Sequence, residues 1–265
     1  MEKSLTMKVL ITGSSGYIGT NLKHFLKQRN VQFAECDLPN CDIRKFEKYK
    51  FENIDAIVHL AAISGLKNCV MDVLGAYEIN VLASYKIVDF CLEKNIPLIF
   101  ASSQAAKGTS YYGYTKACVE DYIVDKCKFG LKSYIFRLAN VYGGVTFLRK
   151  KNTVISKFLK QYKNNEKLTI YGDGNQKRNF IHVLDVCEII YLALISNKIP
   201  CCTKIDVGSE DIISINNLAK FFNTDINYTS GLVGAKDVNL NLTELNRFYK
   251  CKYKLKDWLK NEINN

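Results

Sequence analysis

The 265-residue sequence has no apolar run long enough to cross a membrane, which takes about 18 consecutive apolar residues. It shows no signal-peptide core before its first apolar segment, so we expect a cytoplasmic protein with no membrane partner. Its ten cysteines include no Cys-x-x-Cys pair, the spacing that zinc sites and thioredoxin-like chemistry need. We therefore expect no metal site, and we predict that the cysteines are free thiols packed as small apolar residues in a reducing compartment.

Acidic residues are fewer than basic ones, and the formal net charge is +11. Such a charge is compatible with a nucleic-acid partner, but the lysines are scattered along the chain rather than clustered in one patch. A general lysine bias explains the charge, so we expect no nucleic-acid partner. With 48% hydrophobic and 24% charged residues, the composition is that of a globular protein.

Short apolar runs alternate with amphipathic helical stretches over the first half of the chain. The pattern predicts strands at 8–11, 31–36, 55–60, 97–101 and 133–138, and helices at 16–28, 73–93 and 112–128. Strands that are apolar throughout and separated by helices are typical of a parallel sheet buried on both faces. We therefore predict an α/β protein whose residues 1–150 form a Rossmann domain, a doubly wound parallel sheet.

The alternation becomes less regular after residue 143. We predict helices at 152–162 and 183–195 and strands at 168–171 and 205–207. Our interpretation is that residues 151–265 form mainly a smaller, interleaved C-terminal α/β domain that binds the substrate. Residues from about 180 to 210 are expected to add to the Rossmann sheet.

A glycine fingerprint follows the first predicted strand and opens the first predicted helix. Gly13 permits the tight turn, Gly16 lets the backbone approach a pyrophosphate, and Gly19 lets the helix pack on the strand. Asp37 closes the second strand, 18 residues beyond Gly19. A carboxylate there hydrogen-bonds the adenosine ribose and repels a 2′-phosphate, so the sequence predicts NAD rather than NADP.

A second pair of segments predicts the catalytic chemistry. Tyr112 and Lys116 stand four residues apart at the start of a predicted helix, and Ser103 ends a predicted strand. We expect an ammonium group and a positive nicotinamide ring to lower the pKa of the phenol, so that Tyr112 exchanges a proton with a substrate hydroxyl. Ser103 would orient the reacting oxygen, and Lys116 would also hold the nicotinamide ribose. The neighbouring Tyr111 and Tyr114 have no lysine at the fourth following position.

These segments resemble the extended short-chain dehydrogenase/reductase family, in its NAD-dependent epimerase/dehydratase group, whose members modify nucleotide sugars. The resemblance covers nearly the whole chain. It includes a segment at 171–183 that is similar to the family's nucleotide-sugar segment. The other matching motifs are the glycine fingerprint, Asp37, Asp42-Ile43-Arg44, His59-Leu60-Ala61-Ala62, Asn80-Val81, Ser102-Ser103, Tyr112 to Lys116, and the Arg-Leu-Ala-Asn-Val-Tyr-Gly run at 137–143.

The resemblance implies roles for residues along the chain. Besides the catalytic Ser103, Tyr112 and Lys116, the residues expected to bind the cofactor are Gly13, Ser15, Gly16, Tyr17, Ile18, Gly19, Asp37, Asp42, Ile43, Leu60, Ala61, Ala62, Asn80, Ser102, Tyr112 and Lys116. The residues expected to bind the diphosphate and sugar of the substrate are Asn140, Tyr171, Arg178 and Lys236. A guanidinium suits that role because it binds phosphate oxygens bidentately. The resemblance also implies a homodimer, in which the helices at 73–93 and 112–128 of each subunit form a four-helix bundle.

The chain departs from the family's pattern immediately after Ser103. The family's 4,6-dehydratases carry an Asp-Glu pair in this neighbourhood, and its combined 3,5-epimerase/reductases carry a cysteine, whereas this chain has Gln104-Ala105-Ala106. Both of those reactions are therefore disfavoured, and redox chemistry at one sugar carbon, C4, remains.

The leading hypothesis is a 4-keto reductase of a nucleotide-diphosphate hexose, because Tyr112 is only nine positions after Ser103, a shorter interval than in typical 4-epimerases. The alternative is a nucleotide-sugar 4-epimerase with tightly bound NAD, which the segment around Arg178 favours. A non-catalytic NAD-binding protein and an unrelated small-molecule dehydrogenase rank below both. Asn179 stands where the family has an aspartate and Lys236 where it has an arginine, so the identity of the sugar stays open.

Overall fold

A computed structural model describes residues 7–108, 110–145, 153–231 and 240–264 of the chain. The strands of these residues are β1 (Lys8–Thr12), β2 (Gln32–Cys36), β3 (Ala56–His59), β4 (Leu98–Ser103), β5 (Ser133–Leu138), β6 (Asn140–Tyr142), β7 (Leu168–Tyr171), β8 (Lys177–His182), β9 (Lys204–Val207), β10 (Ile212–Ser214) and β11 (Ile226–Thr229). The α-helices are α1 (Tyr17–Lys27), α2 (Leu66–Met71), α3 (Val73–Tyr77), α4 (Ala83–Lys94), α5 (Tyr111–Cys127), α6 (Val154–Lys163), α7 (Val183–Ile195), α8 (Ile215–Ala219), α9 (Thr243–Asn246) and α10 (Leu255–Asn264).

The main sheet is parallel and has the strand order β2-β1-β3-β4-β5-β9 among the described residues. The chain passes from β1 outward to β2 and then returns to the other side of β1 to form β3. A crevice therefore opens at the carboxyl ends of β1 and β3, where α/β sheets bind their ligands. The predicted Rossmann architecture is confirmed.

Both faces of this sheet are covered, which explains why its strands are apolar throughout. Val9 and Ile11 of β1 pack into one buried cluster with helices α1 and α7. Leu10, between them, points to the opposite face and packs into a second cluster with α4 and α5. A strand buried on both sides cannot alternate apolar and polar residues.

The remaining strands form two small sheets beside the main one. One has the order β10-β8-β6, and the other pairs β11 with β7 in parallel. Helix α7 returns to the main sheet and packs on α1 through the Arg29–Glu188 ion pair, with 3.0 Å between the charged atoms. Strand β9 then extends the main sheet beside β5. The boundary at residue 150 and the substrate-binding role of residues 151–265 stay predictions.

Several elements differ from the sequence-based expectations. The predicted helix at 73–93 consists of α3, a π-helical turn at Glu78–Leu82 and α4. Helix α2 and the short strands β6, β8 and β10 were not predicted, because segments of three to six residues are too short to show a clear period. None of the described helices is long and apolar enough to span a membrane.

The prediction that all ten cysteines are free thiols is wrong for four of them. Disulfides join Cys36 to Cys41 and Cys127 to Cys202, with Cα–Cα distances of 4.9 and 6.0 Å. The paired cysteines are 5 and 75 residues apart in sequence, and neither pair belongs to a recognisable motif. The second pair forms because α5 packs beside the segment that leads into β9. The free cysteines are Cys69, Cys91, Cys118, Cys187, Cys201 and Cys251.

Candidate active site

The turn between β1 and α1 is a backbone cradle that only glycine can form. Gly13 has φ +68°, and a β-carbon there would lie 2.7 Å from the Ala61 nitrogen. A β-carbon on Gly19 would overlap the Gly13 carbonyl oxygen. Gly16 precedes the first residue of α1 and lines the cleft, so the positive end of the helix dipole lies at the crevice. This cradle fits the pyrophosphate of a dinucleotide.

A cavity of about 310 Å³ continues from this turn toward the end of β2. Asp37 lies in its wall, and its Oδ2 accepts hydrogen bonds from the backbone nitrogen of Ser15 at 2.8 Å and from its hydroxyl at 2.5 Å. Arg44 also lines the cavity, but its guanidinium is held by the Asp42 carboxylate at 2.7–3.0 Å. The other predicted cofactor residues that line it are Gly13, Ser15, Gly16, Asp42, Ile43, Leu60, Ala61 and Ala62.

A larger cleft, of about 750 Å³, runs from the glycine turn past the end of β4 to strands β7 and β8. The predicted residues that it brings together are Gly13, Gly16, Tyr17, Ile18, Leu60, Ala62, Ser102, Ser103, Tyr112, Lys116, Asn140, Tyr171 and Arg178. Gly19 and Asn80 do not line either cavity. Lys236 lies outside the described residues.

Tyr112 and Ser103 face each other in the cleft because α5 approaches the end of β4 closely. Gly113 permits this approach, since a β-carbon there would overlap the Ala105 carbonyl oxygen. The Ser103 hydroxyl accepts a hydrogen bond from the Ala105 nitrogen at 3.2 Å and is also hydrogen-bonded to the Tyr112 phenol. Burial raises the pKa of Tyr112 to about 12, and the bond to Ser103 opposes the rise. In the protein alone the phenol is therefore a proton donor at neutral pH.

Lys116 is buried beneath Tyr112, one helical turn further along α5. Its Nζ donates a hydrogen bond to the Ala101 carbonyl oxygen at 2.8 Å and lies 4.7 Å from the centroid of the Phe100 ring. Burial lowers the pKa of Lys116 to about 8, and the negative charge of Glu120 opposes the decrease. The expected decrease in the pKa of Tyr112 requires the nicotinamide ring as well as Lys116, and it stays a prediction.

Asn80 supports the cleft wall from behind. Its side chain accepts a hydrogen bond from the Ile63 nitrogen at 2.7 Å and donates to the Ile63 carbonyl oxygen at 3.0 Å. It also donates to the Thr115 hydroxyl at 3.2 Å, and that hydroxyl donates to the Tyr112 carbonyl oxygen. Asn80 therefore links the loop after β3 to helix α5.

The far end of the cleft carries the predicted substrate residues. Arg178 is half-buried, and burial lowers the pKa of its guanidinium. Asn140 donates to the Asn179 carbonyl oxygen at 3.0 Å, which joins β6 to β8. Tyr171 lies 5.2 Å, ring centroid to Nζ, from Lys157 of α6.

Sequence reasoning missed several cleft residues. Lys157 and Gln176 line the far end, and Lys67 and Asn68 of α2 lie along its wall. Lys157 immediately precedes the buried Phe158 on α6, and nothing in this part of the sequence indicates that Lys157 faces a ligand. Gln176 stands within the segment at 171–183, so that segment was the one available signal for it.

Asn179, at the position where the family has an aspartate, does not line the cleft. It is fully buried, and its Nδ2 donates to the carbonyl oxygens of Ser209 and Asp211 at 2.6 and 2.9 Å. Its Oδ1 accepts a hydrogen bond from the Ser209 nitrogen at 3.1 Å. The amide therefore holds the loop between β9 and β10, a contact that needs a donor and an acceptor on one side chain.

A sequence model of the NAD-dependent epimerase/dehydratase family matches residues 9–208, about three quarters of the chain. The chain belongs to this family. The predicted membership is confirmed, and with it the prediction of an NAD-dependent enzyme. The match ends near β9, so it includes the glycine turn, the Ser103–Tyr112–Lys116 set and Arg178.

Individual relatives in this family carry out different reactions. A Methanocaldococcus jannaschii protein assigned as a UDP-glucose 4-epimerase is 27% identical over 257 residues, which is 83% of each chain. A UDP-N-acetyl-alpha-D-glucosaminuronate decarboxylase of Bacillus cytotoxicus is 27% identical over 258 residues, 80% of this chain and 78% of the relative. The solved structure of a Thermotoga maritima UDP-glucose 4-epimerase with UDP-glucose has a TM-score of 0.86 at 21% identity, covering 97% of this chain and 98% of that one.

Replacing Gly13 by Ala tests the cradle. We expect NADH to bind about tenfold more weakly or worse, because a β-carbon at φ +68° strains the turn by about 1–3 kcal/mol and pushes it away from Ala61. Titration of NADH fluorescence measures the change. Gly108→Ala is the matched control, since its β-carbon would meet only the Ala105 oxygen at 3.4 Å. Equal affinities for both variants would contradict the assignment.

Proposed function

We propose that the chain is an NAD-dependent 4-epimerase of a nucleotide-diphosphate hexose. The observation that carries this proposal is one cleft that joins the Ser103–Tyr112 pair at one end to the Arg178 guanidinium at the other. Our leading hypothesis from the sequence, a 4-keto reductase, is not confirmed. The relatives with 4-epimerase names support the alternative that we ranked second.

The diphosphate is assigned to the far end of the cleft. Arg178 binds two phosphate oxygens, and Asn140 and Lys157 lie in the same walls. The sugar then extends toward the end of β4. There the Ser103 hydroxyl orients the C4 oxygen toward the Tyr112 phenol.

Proton transfer at the C4 oxygen is assigned to Tyr112. NAD held by the glycine cradle would supply hydride exchange with C4 and would carry a positive charge on its nicotinamide ring. That charge and the Lys116 ammonium favour the phenolate, which offsets the burial that raises the pKa of Tyr112. Tyr112 then takes the proton from the C4 hydroxyl and returns it after the ketosugar has turned its other face. The Ser103 hydroxyl forms a second hydrogen bond to the C4 oxygen, both when the proton is removed and when it is returned.

The segment after Ser103 argues against the family's other reactions. Elimination of water needs a further acid and base, and epimerisation next to a ketone needs a group that takes a carbon-bound proton. The residues at 104–107 are Gln, Ala, Ala and Lys, and they form a short 3₁₀ helix. They supply no carboxylate and no thiol.

A 4-keto reductase remains the second candidate, and a specific observation favours it. The short 3₁₀ helix Gln104–Lys107 leads almost directly into α5, and the Lys107 ammonium is bound to the buried Asp206 carboxylate. The segment between Ser103 and Tyr112 is shorter than the one that typical 4-epimerases of the family carry at this place. A reductase consumes one NADH for each product formed, whereas an epimerase leaves the cofactor pool unchanged.

Replacing Tyr112 by Phe tests the assigned proton transfer. We expect turnover of the nucleotide sugar to fall by about 10²- to 10⁴-fold, because only the phenolic hydroxyl is removed. Chromatography of UDP-glucose and UDP-N-acetylglucosamine reactions measures it. Tyr191→Phe is the control, since Tyr191 lies on α7 outside the cleft. Undiminished turnover in Tyr112→Phe would mean that another group moves the proton.

We also propose that two copies of the chain form a dimer through α3, α4 and α5. Four exposed apolar residues lie on or beside these helices: Met71, Leu74, Leu82 and Tyr114. Leu74 is 84% exposed and Met71 is 76% exposed, values unusual for large apolar side chains of a monomer surface. Tyr85 of α4 and Tyr122 of α5 stack on each other, with ring centroids 3.9 Å apart.

Replacing Leu74 by Glu tests the proposed dimer. We expect the natural chain to have twice the chain mass by light scattering and the variant to have the mass of one chain, because the interface would bury an unpaired charge. Ile195→Glu is the control, since Ile195 is an exposed apolar residue at the end of α7. A single-chain mass for the natural protein at micromolar concentration would refute the dimer.

A further inference from the structure

Glu120 is a fully buried carboxylate that the proposed reaction leaves unused. It lies on α5, one turn beyond Lys116 and two turns beyond Tyr112. A buried carboxylate is costly unless it is paired, so its partners indicate what it holds in place.

The partners of Glu120 lie on three neighbouring strands of the main sheet. Arg137 of β5 binds it bidentately, with Nε 2.9 Å from Oε1 and Nη2 2.5 Å from Oε2. Ser102 of β4 donates its hydroxyl to Oε1 at 2.5 Å. Ser102 and Arg137 are also paired in register across β4 and β5. Lys204 of β9 lies 3.6 Å from Oε2. The carboxylate therefore joins α5 to the carboxyl ends of β4 and β5 and to the first residue of β9.

Three consecutive residues at the end of β4 each contact a different residue of α5. The Ala101 carbonyl oxygen accepts the Lys116 ammonium at 2.8 Å, the Ser102 hydroxyl binds Glu120, and Ser103 faces Tyr112. Ser102 and Ser103 thus both bind α5, through Glu120 and Tyr112, which lie two turns apart on that helix. Glu120 thus holds Ser102, and with it the end of β4, next to the position where Ser103 must be aligned.

The same carboxylate acts on Lys116 electrostatically. The buried ammonium would lose its proton more easily without a nearby negative charge, and Glu120 supplies that charge. Arg137 remains cationic beside it, since the bond to Glu120 raises the pKa of Arg137. His59 is neutral, because burial lowers its pKa to about 3. The titratable and charged groups around Lys116 and Glu120 are Tyr112 on α5, Cys69 on α2, His59 on β3, Arg137 on β5 and Lys204 on β9.

We propose that Glu120 is a positioning residue of the active site, which aligns Ser103 through Ser102 and keeps the Lys116 side chain protonated. The proposal rests on the proposed function for its catalytic consequence. It differs from a purely structural ion pair in one respect: removal of the carboxylate changes the titration of a second residue, Lys116, that is not bonded to it.

The matched pair of variants is Glu120→Gln and Asp121→Asn. Both remove one carboxylate from adjacent positions of α5. The Asp121 side chain is 75% exposed and pairs with Lys204 on the outer side of the helix. Lys116 titration is followed by NMR in the full chain with NAD⁺ added, using ε-¹³C-lysine labelling. The resonance is assigned by its loss in Lys116→Arg.

We expect the Lys116 midpoint to fall by about one pH unit or more in Glu120→Gln and to stay unchanged in Asp121→Asn. The alkaline limb of kcat should move to lower pH in parallel, with KM little changed, because Glu120 does not touch the cleft. An unchanged midpoint in Glu120→Gln, or equal shifts in both variants, would overturn the proposal. The midpoint does not depend on turnover, so an absence of epimerase activity would refute the proposed function and leave this test intact.

A double variant keeps the test decisive if Glu120→Gln is unstable. Glu120→Gln with Arg137→Gln removes both charges and leaves no unpaired buried ion. We expect the Lys116 midpoint to fall in the double variant as well. A midpoint equal to that of the natural chain would overturn the proposal.

Discussion

The hydrogen bond from Lys116 to the Ala101 carbonyl oxygen is the contact on which the candidate site depends. It ties the second turn of α5 to the end of β4, and so brings Tyr112 to Ser103 although the two are nine positions apart in the chain. The bond is possible because Gly113 lets the helix pack against the Ala105 carbonyl oxygen. An ammonium in this place is buried, which makes its charge sensitive to its surroundings. The reactivity of the site therefore depends on the residues that bury the Lys116 ammonium.

Much of this arrangement could be predicted from the sequence, because its determinants are local. Strands such as β1 and β5 show continuous apolar runs, which a sheet covered on both faces requires. Gly13 and the spacing of Tyr112 to Lys116 reflect a tight turn and one helical turn, which are properties of neighbouring residues. Family membership then follows from several such motifs in order.

What could not be predicted depends on contacts between distant segments. The Cys127–Cys202 disulfide and the bond of Glu120 to Arg137 join residues that have no common motif. The burial that raises the pKa of Tyr112 in the chain alone also comes from elements that are distant in sequence. Lys157 reaches the cleft only because α6 packs beside β7. Each of these features follows from the packing of elements rather than from spacing along the chain.

The most direct test of the account is the fate of hydrogen at C4. UDP-glucose and UDP-N-acetylglucosamine carrying deuterium at C4 are converted by the full chain with NAD⁺ in ordinary water, and the epimeric products are analysed by NMR. The account predicts that deuterium is retained at C4 with no net formation of NADH, because the hydride removed from the sugar returns to it. Replacement of the deuterium by solvent hydrogen would contradict redox chemistry at C4.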